Sequence, residues 1–314
     1  MSVIAITDHF DAPSPEEKAI LGNLVGTHVG ADTEILMVWH AHIDQDYISE
    51  LPKLRGVQRY GVGYENLDLD SLKTAGITCC NNPDYGVDEV ADTAVAMILN
   101  ITRGISLYNH VAKGLKDTWQ ENVLRGLRRT SETVIGVIGA GRIGSSVLLK
   151  TRQIGFRTCF YDPYLPRGFE KVVKADRLDT IDELLANSDI VSIHTPLTPE
   201  TAGIIDEAFI ARMKPGASLV NTARGRLVAD LEILLPAIQS NHLHHVALDV
   251  IPDEPPVDNQ FIATWRDTNN PLSQRITINP HTAYFSEESY LEIRSKAAMN
   301  ALRIYNREKA FNLL

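Results

Sequence analysis

Val134-Ile135-Gly136-Val137-Ile138-Gly139-Ala140-Gly141-Arg142-Ile143-Gly144 stands near the middle of the 314-residue chain. An apolar run leading straight into G-x-G-x-x-G is the pattern of a buried parallel strand that feeds a tight turn and then a helix. Each glycine has a separate physical task. Gly139 lets the chain turn, Gly141 lets backbone approach a pyrophosphate, and Gly144 lets the helix lie close to the strand. Arg142 and Ile143 open that helix, whose unpaired N–H groups and positive dipole end suit phosphate oxygens.

The motif has its second half. The run Thr158-Cys159-Phe160-Tyr161 ends in Asp162, 23 residues after Gly139. A dinucleotide-binding unit carries a carboxylate there for the adenosine ribose hydroxyls. Asp162 would repel a 2′-phosphate, and the next cationic residue is Arg167, so NAD is expected in preference to NADP.

Length and composition bound the rest. A chain of 314 residues is long for one core, so two domains are expected. A net charge of −10 argues against nucleic acid or an anionic membrane as partner. An anionic substrate would need a local cluster of arginines. Cys79, Cys80 and Cys159 offer neither a disulfide framework nor a zinc spacing, which fits a reducing cytosol. The N-terminus lacks the basic and apolar regions of a signal peptide, and no stretch approaches the about eighteen apolar residues of a membrane span. A cytoplasmic protein is the expectation.

Before the glycine motif, Val3–Thr7, Ile35–Trp39, Val57–Tyr60 and Ile77–Cys80 read as buried strands. Pro15–Asn23, His42–Leu51 and Leu69–Ala75 read as the helices between them. Asp88 to Lys116 reads as one long helix, with Val90, Ala94, Met97, Ile98 and Ile101 at helical spacing. After the motif, Asp189–His194, Ser218–Asn221, His245–Val250 and Ile276–Asn279 continue a parallel sheet to an expected six strands, with helices such as Ile181–Ala186 and Asp206–Met213 between them. Glu287 to Glu308 closes the chain as a helix. The fold class is α/β, with two doubly wound parallel-sheet domains. A flavodoxin-like substrate domain over 1–100 is completed by the closing segment 285–314, and a Rossmann NAD-binding domain spans 101–284. A cleft between two such domains is a preferred place for a small-molecule site.

Three ionisable residues fall just past late strands, where open α/β sheets bind ligands. Arg224 lies in Asn221-Thr222-Ala223-Arg224-Gly225, Glu254 in Asp249-Val250-Ile251-Pro252-Asp253-Glu254-Pro255, and His281 in Asn279-Pro280-His281-Thr282-Ala283. Hydride transfer between nicotinamide and a 2-oxo or 2-hydroxy acid needs a fork of N–H donors for carboxylate and carbonyl, which a guanidinium supplies. It also needs a proton donor for the developing alkoxide. An imidazole with a carboxylate partner meets that need, because the carboxylate orients the ring and favours the imidazolium. Arg224, Glu254 and His281 are therefore the candidate catalytic residues.

On these motifs the chain resembles the D-isomer-specific 2-hydroxyacid dehydrogenase family over nearly its whole length. Gly139–Gly144, His194-Thr195-Pro196-Leu197-Thr198, Asn221–Gly225, Asp249-Val250 with Glu254-Pro255, and Pro280-His281 carry the likeness. The resemblance implies that Arg224 binds substrate, that Glu254 partners the histidine, and that His281 is the acid/base. It further implies that Asp249 contacts the nicotinamide carboxamide and that Thr195, Pro196, Thr222 and Ala223 line the cofactor. Trp39-His40, Arg59-Tyr60-Gly61-Val62-Gly63-Tyr64-Glu65-Asn66, Tyr161-Asp162-Pro163-Tyr164-Leu165 and His281 to Glu287 resemble the C-terminal-binding-protein branch in particular. That likeness implies substrate contacts from Arg59, from the backbone of Val62 and Gly63, from His40 and from Tyr284, which stands where the branch has Trp. The resemblance to the dehydrogenase family also implies a homodimer through the long helix Asp88–Lys116.

Two functions follow: an NAD-dependent dehydrogenase, or an NAD(H)-responsive interaction module like the co-repressors of that branch. The absence of a long tail after Leu314 leans the expectation to the enzyme. No metal is expected. His242, His244 and His245 sit where a helix end meets a strand, without carboxylate ligands in register. Cys79 and Cys80 read as buried strand residues, since no partnering base is apparent.

Overall fold

A computed structural model of the chain describes residues 2–8 and 10–314, and they fall into two compact units. One comprises residues up to 86 together with 285–314, and the other comprises 87–284.

In the first unit, short apolar runs are buried on both faces, as parallel strands covered by helices must be. The strands are β1 (Ile4–Ile6), β2 (Val25–Gly26), β3 (Ile35–Val38), β4 (Gly56–Arg59) and β5 (Thr78–Cys80). They pair in parallel in the order β2-β1-β3-β4-β5, the flavodoxin-like order. Helices α1 (Pro15–Leu21), α2 (Gln45–Ser49) and α3 (Leu69–Thr74) each start at a side-chain cap, from Ser14, Asp44 and Asp68. The closing helix Glu287–Tyr305 packs on β3, β4 and α1. The two-residue β2 carries no apolar run, which is why periodicity misses it.

The second unit opens with α4 (Val87–Arg103), whose buried stripe of Ala91, Ala94, Val95, Met97 and Ile98 joins one core with Ile135 and Val137. That packing places α4 wholly in the second unit, so the division falls after residue 86 rather than after residue 100. The expected single helix from Asp88 to Lys116 is broken. Gly104 takes φ +61°, a left-handed conformation that ends α4 and caps α5 (Ile105–Gly114), and the two axes differ by 50°. No residue of α5 is buried. Among the described residues no single helix is long and apolar enough to cross a membrane.

From there the chain alternates β6 (Val134–Ile138), α6 (Arg142–Ile154), β7 (Arg157–Tyr161), α7 (Phe169–Val173), β8 (Asp176–Arg177), α8 (Ile181–Asn187), β9 (Ile190–Ile193), α9 (Glu207–Arg212), β10 (Ala217–Asn221), α10 (Leu234–Gln239), β11 (Leu243–Leu248), α11 (Gln260–Arg266) and β12 (Ile276–Ile278). All pairs are parallel, in the order β12-β11-β10-β9-β6-β7-β8. The sheet has seven strands where six were expected, because β8 is a short polar edge strand. Along β6 the pleat sends Ile135 and Val137 to one core and Ile138 to the other. The strand order reverses at β6, which lies between β7 and β9.

Candidate functional site

At the end of β6, Gly139 takes φ +86°, and a Cβ there would stand 2.8 Å from the His194 carbonyl oxygen. A Cβ on Gly144 would lie 2.0 Å from the Gly139 carbonyl oxygen, so the first turn of α6 rests directly on the loop. A Cβ on Gly141 would meet nothing within 4 Å. The protein's own packing demands the two outer glycines, whereas the middle one faces open space, as backbone kept bare for a ligand does. Gly141 caps α6 without a side-chain hydrogen bond, which leaves the first N–H groups for an anion beside Arg142 and Ile143.

Asp162 follows β7 directly. Its Oδ2 accepts the Ala140 N–H at 2.9 Å and its Oδ1 accepts the Tyr164 N–H at 3.0 Å. Each oxygen retains a second lone pair for a further donor. On the other side of β6, β9 leads into His194, Thr195 and Pro196. This is the switch point where open α/β sheets bind ligands. Among the described residues, three buried polar atoms on this edge lack a protein partner: His194 Nδ1, Thr195 Oγ1 and Thr222 Oγ1. Such atoms cost free energy unless something else satisfies them. His194 Nε2 meets Ser192 Oγ at 2.8 Å, and burial pushes the imidazole down to about 3. The bare Gly141, the uncapped helix start, the carboxylate of Asp162 and the orphaned atoms together fit a dinucleotide.

Past β10, buried Asn221 shapes the turn that presents Arg224. Its Oδ1 accepts the Ala223 N–H at 3.0 Å and its Nδ2 donates to the Arg224 carbonyl at 2.9 Å. Arg224 Nη1 donates to the Ala223 carbonyl at 2.7 Å. A Cβ on Gly225 would stand 2.0 Å from the Ile251 carbonyl, so glycine is what lets this turn close on the loop after β11. In that loop the Ile251 N–H donates to Glu254 Oε1 at 3.1 Å, and Glu254 Oε2 meets His281 Nδ1 at 2.7 Å.

His281 itself sits at φ +54° and donates its N–H to the Asp249 carbonyl at 2.8 Å. The Asp249 carboxylate accepts the N–H groups of Thr282 at 3.1 Å and Ala283 at 3.0 Å. Asp249 therefore clamps the histidine turn from beneath while only 1% exposed. Burial raises its carboxyl above the usual range, against the opposing amides of Ala283 and Thr282. For Glu254, burial also raises the carboxyl, but the hydrogen bond and charge of His281, the Ile251 amide and the charge of Arg224 outweigh it, so the net direction is down. Glu254 is thus a carboxylate at neutral pH. With Nδ1 held, His281 Nε2 is the nitrogen left for proton exchange.

In the first unit, Arg59 ends β4 and its Nη1 donates to the Val38 carbonyl at 3.3 Å. A Cβ on Gly61 would lie 3.3 Å from the Arg59 guanidinium. The Asn82 N–H donates to the Gly61 carbonyl at 3.3 Å and Asn81 Nδ2 donates to the Val62 carbonyl at 2.7 Å. Peptide planarity then turns the N–H groups of Val62 and Gly63 away from Asn81 and Asn82. Sequence reading missed Asp8, two residues past the end of β1. Its carboxylate accepts the Trp39 N–H at 3.2 Å and the His40 N–H at 2.6 Å, and so sets the backbone that carries His40. Tyr284 is the last residue of the second unit and is partly buried.

The remaining candidates have internal uses. His242 Nε2 meets the Ile210 carbonyl at 2.7 Å, and buried His245 Nε2 meets Thr277 Oγ1 at 3.0 Å. Burial pushes His245 down to about 3. Cys79 is raised to about 12 and Cys80 to about 11, both by burial, so neither is a thiolate nucleophile.

Comparison with known proteins identifies the family. Residues 95–283 match the model of the D-isomer specific 2-hydroxyacid dehydrogenase, NAD binding domain. The chain is 31% identical to D-3-phosphoglycerate dehydrogenase of Bacillus subtilis over 83% of its own length and 47% of that protein. It is 30% identical to the D-3-phosphoglycerate dehydrogenase of Methanocaldococcus jannaschii over 90% of its length and 52% of that protein. The chain thus spans about half the length of these curated relatives. D-lactate dehydrogenase from Aquifex aeolicus, solved with NAD and lactic acid, superposes with a TM-score of 0.84 at 27% identity, covering 97% of this chain and 96% of that one. The chain belongs to the D-isomer specific 2-hydroxyacid dehydrogenase family, and residues 95–283 are its NAD-binding domain.

Proposed function

We propose that the chain is an NAD-dependent dehydrogenase interconverting a 2-oxo acid and the (R)-2-hydroxy acid. The observation that carries this reading is the 2.7 Å contact between Glu254 and His281, on a turn clamped by Asp249. Gly139, Gly141, Arg142, Ile143 and Gly144 would hold the pyrophosphate, and Asp162 the adenosine ribose. Thr195, Pro196, Thr222 and Ala223 would line the dinucleotide, with Asp249 toward the carboxamide. When bound, the nicotinamide supplies or accepts the hydride at substrate C2. Arg224 binds the substrate carboxylate and C2 oxygen through its fork of N–H groups. His281 donates a proton to that oxygen in reduction and recovers it in oxidation, and Glu254 orients and charges the ring. The N–H groups of Val62 and Gly63 and the guanidinium of Arg59 are further groups we assign to the substrate carboxylate. His40 and Tyr284 are assigned to the C2 substituent.

The strand ends of the first unit carry Trp39, His40, Arg59 and Tyr60 rather than a run of arginines. An unphosphorylated 2-oxo acid fits them better than the phosphorylated substrate that the curated relatives' names imply. The segments around Arg59, Asp162 and Tyr284 support a place beside the C-terminal-binding-protein branch. The wholly unburied α5 supports a homodimer, and the free thiols support a cytoplasmic setting. Consumption of NADH with a panel of 2-oxo acids bearing short, aromatic and phosphorylated C2 substituents tests the reading. Turnover on the unphosphorylated members is expected. NADH binding without turnover on any member would instead leave an NAD(H)-responsive interaction module.

A further inference from the structure

Arg177 offers two opposite readings. A cation near the carboxylate that follows the second strand of a dinucleotide unit is a candidate receptor for a 2′-phosphate, which would favour NADP. The contacts of Arg177 say otherwise. It lies in the edge strand β8, and its side chain is only 10% exposed. Its Nη1 donates to the Asp162 carbonyl at 3.0 Å, and its Nη2 donates to the Pro166 carbonyl at 2.9 Å. Its Nε reaches Glu170 Oε2 at 3.3 Å, while the guanidinium stacks 5.0 Å from the centre of the Phe160 ring. Glu170 in turn accepts the Gly168 N–H at 3.0 Å. All three nitrogens are engaged, and all serve the segment that begins at Asp162.

A planar fork with fixed donor directions can hold two carbonyls and a carboxylate at once, and a lysine cannot. The Asp162 backbone is pinned by Arg177 while its carboxylate is pinned by the amides of Ala140 and Tyr164. We infer that Arg177 is a positioning residue for cofactor selectivity: it braces Asp162 in the orientation that takes the ribose hydroxyls of NAD, and it is not a receptor for the 2′-phosphate of NADP. The inference rests on the dinucleotide site and not on turnover.

The two readings separate in fluorescence titrations of the intact protein with NADH and with NADPH. Arg177→Met should weaken NADH about tenfold, the worth of a lost buried hydrogen bond or two, and NADPH by no more than about twofold, so the preference narrows. Thermal unfolding of each variant separates this from loss of the fold. Should Arg177→Met not fold, Arg177→Lys keeps the charge without the fork and should show the same direction with a smaller loss. Glu170→Gln, which leaves both carbonyl bonds in place, should keep NADH affinity within about twofold. A loss confined to NADPH, an equal loss of both cofactors, or full NADH affinity in Arg177→Lys overturns the inference. A parent protein that binds neither cofactor overturns the dinucleotide assignment itself, and the inference with it.

Discussion

His281 follows β12 and His194 follows β9 in the same parallel sheet, yet their surroundings differ in every respect that governs proton transfer. The His281 side chain is 47% exposed and holds a carboxylate on Nδ1. His194 has a hydroxyl on Nε2, a buried Nδ1 without a partner, and an imidazole pushed down to about 3 by burial. A strand-end position brings a histidine to the ligand edge of the sheet. Only a partnering carboxylate and access to solvent or substrate make it an acid. His194 is a neutral hydrogen-bonding group beside the glycine loop, and His281 is the residue we propose as proton carrier.

The largest effect should separate these two residues. His281→Ala should lower turnover by roughly 10²–10⁴, the usual worth of a positioned acid, while NADH affinity stays within about twofold. His194→Asn should change turnover by less than about tenfold and act mainly on NADH binding. Steady-state rates and NADH titrations on both variants decide it, and equal rate losses would erase the distinction.

Next comes stability in acid. His194 and His245 are both held near 3 in the fold, against about 6.5 in an unfolded chain. The unfolded state therefore binds more protons between those values. The stability these residues contribute is full above about pH 6.5 and is lost as pH falls toward 3. The urea midpoint should drop between pH 7 and pH 5, and His245→Gln should flatten that slope. A midpoint that does not move would contradict the burial of both rings.

A smaller effect tests the carboxylate that distinguishes His281. Glu254→Gln keeps a hydrogen-bonding partner but removes the charge. Reduction at neutral pH should fall about tenfold, because the ring loses the charge that orients it. A rate unchanged from the parent would leave the Glu254 charge without a part in turnover. The smallest effect concerns the cofactor. NADH should bind at least about tenfold better than NADPH, a gap of about 1.4 kcal/mol, and Asp162→Ala should narrow that gap mainly by weakening NADH.

What the sequence made legible follows its physics. The strand-turn-helix around Gly139–Gly144 is visible because buried parallel strands are continuous apolar runs and because two of its glycines are required by close contacts. The trio Arg224, Glu254 and His281 is visible because each stands just past an apolar run. Features without an apolar signature escaped. The edge strands β2 and β8 are two residues each, and β8 delivers Arg177. The break at Gly104 is invisible to hydrophobic spacing, since a glycine is tolerated inside a helical pattern until its φ is known. The clamp that Asp249 places on the His281 turn depends on backbone N–H groups, which no side-chain pattern records.

In the function we propose, this chain moves hydride to C2 of a 2-oxo acid while His281 supplies the proton. The most direct measurement uses NADH deuterated at nicotinamide C4 with the best 2-oxo acid of the panel, followed by chiral and mass analysis of the product. Deuterium at C2 of the (R)-2-hydroxy acid, formed by the parent and by His281→Ala at least about 10²-fold more slowly, is the predicted result. An (S) product, deuterium found elsewhere than C2, or an undiminished yield from His281→Ala would contradict it.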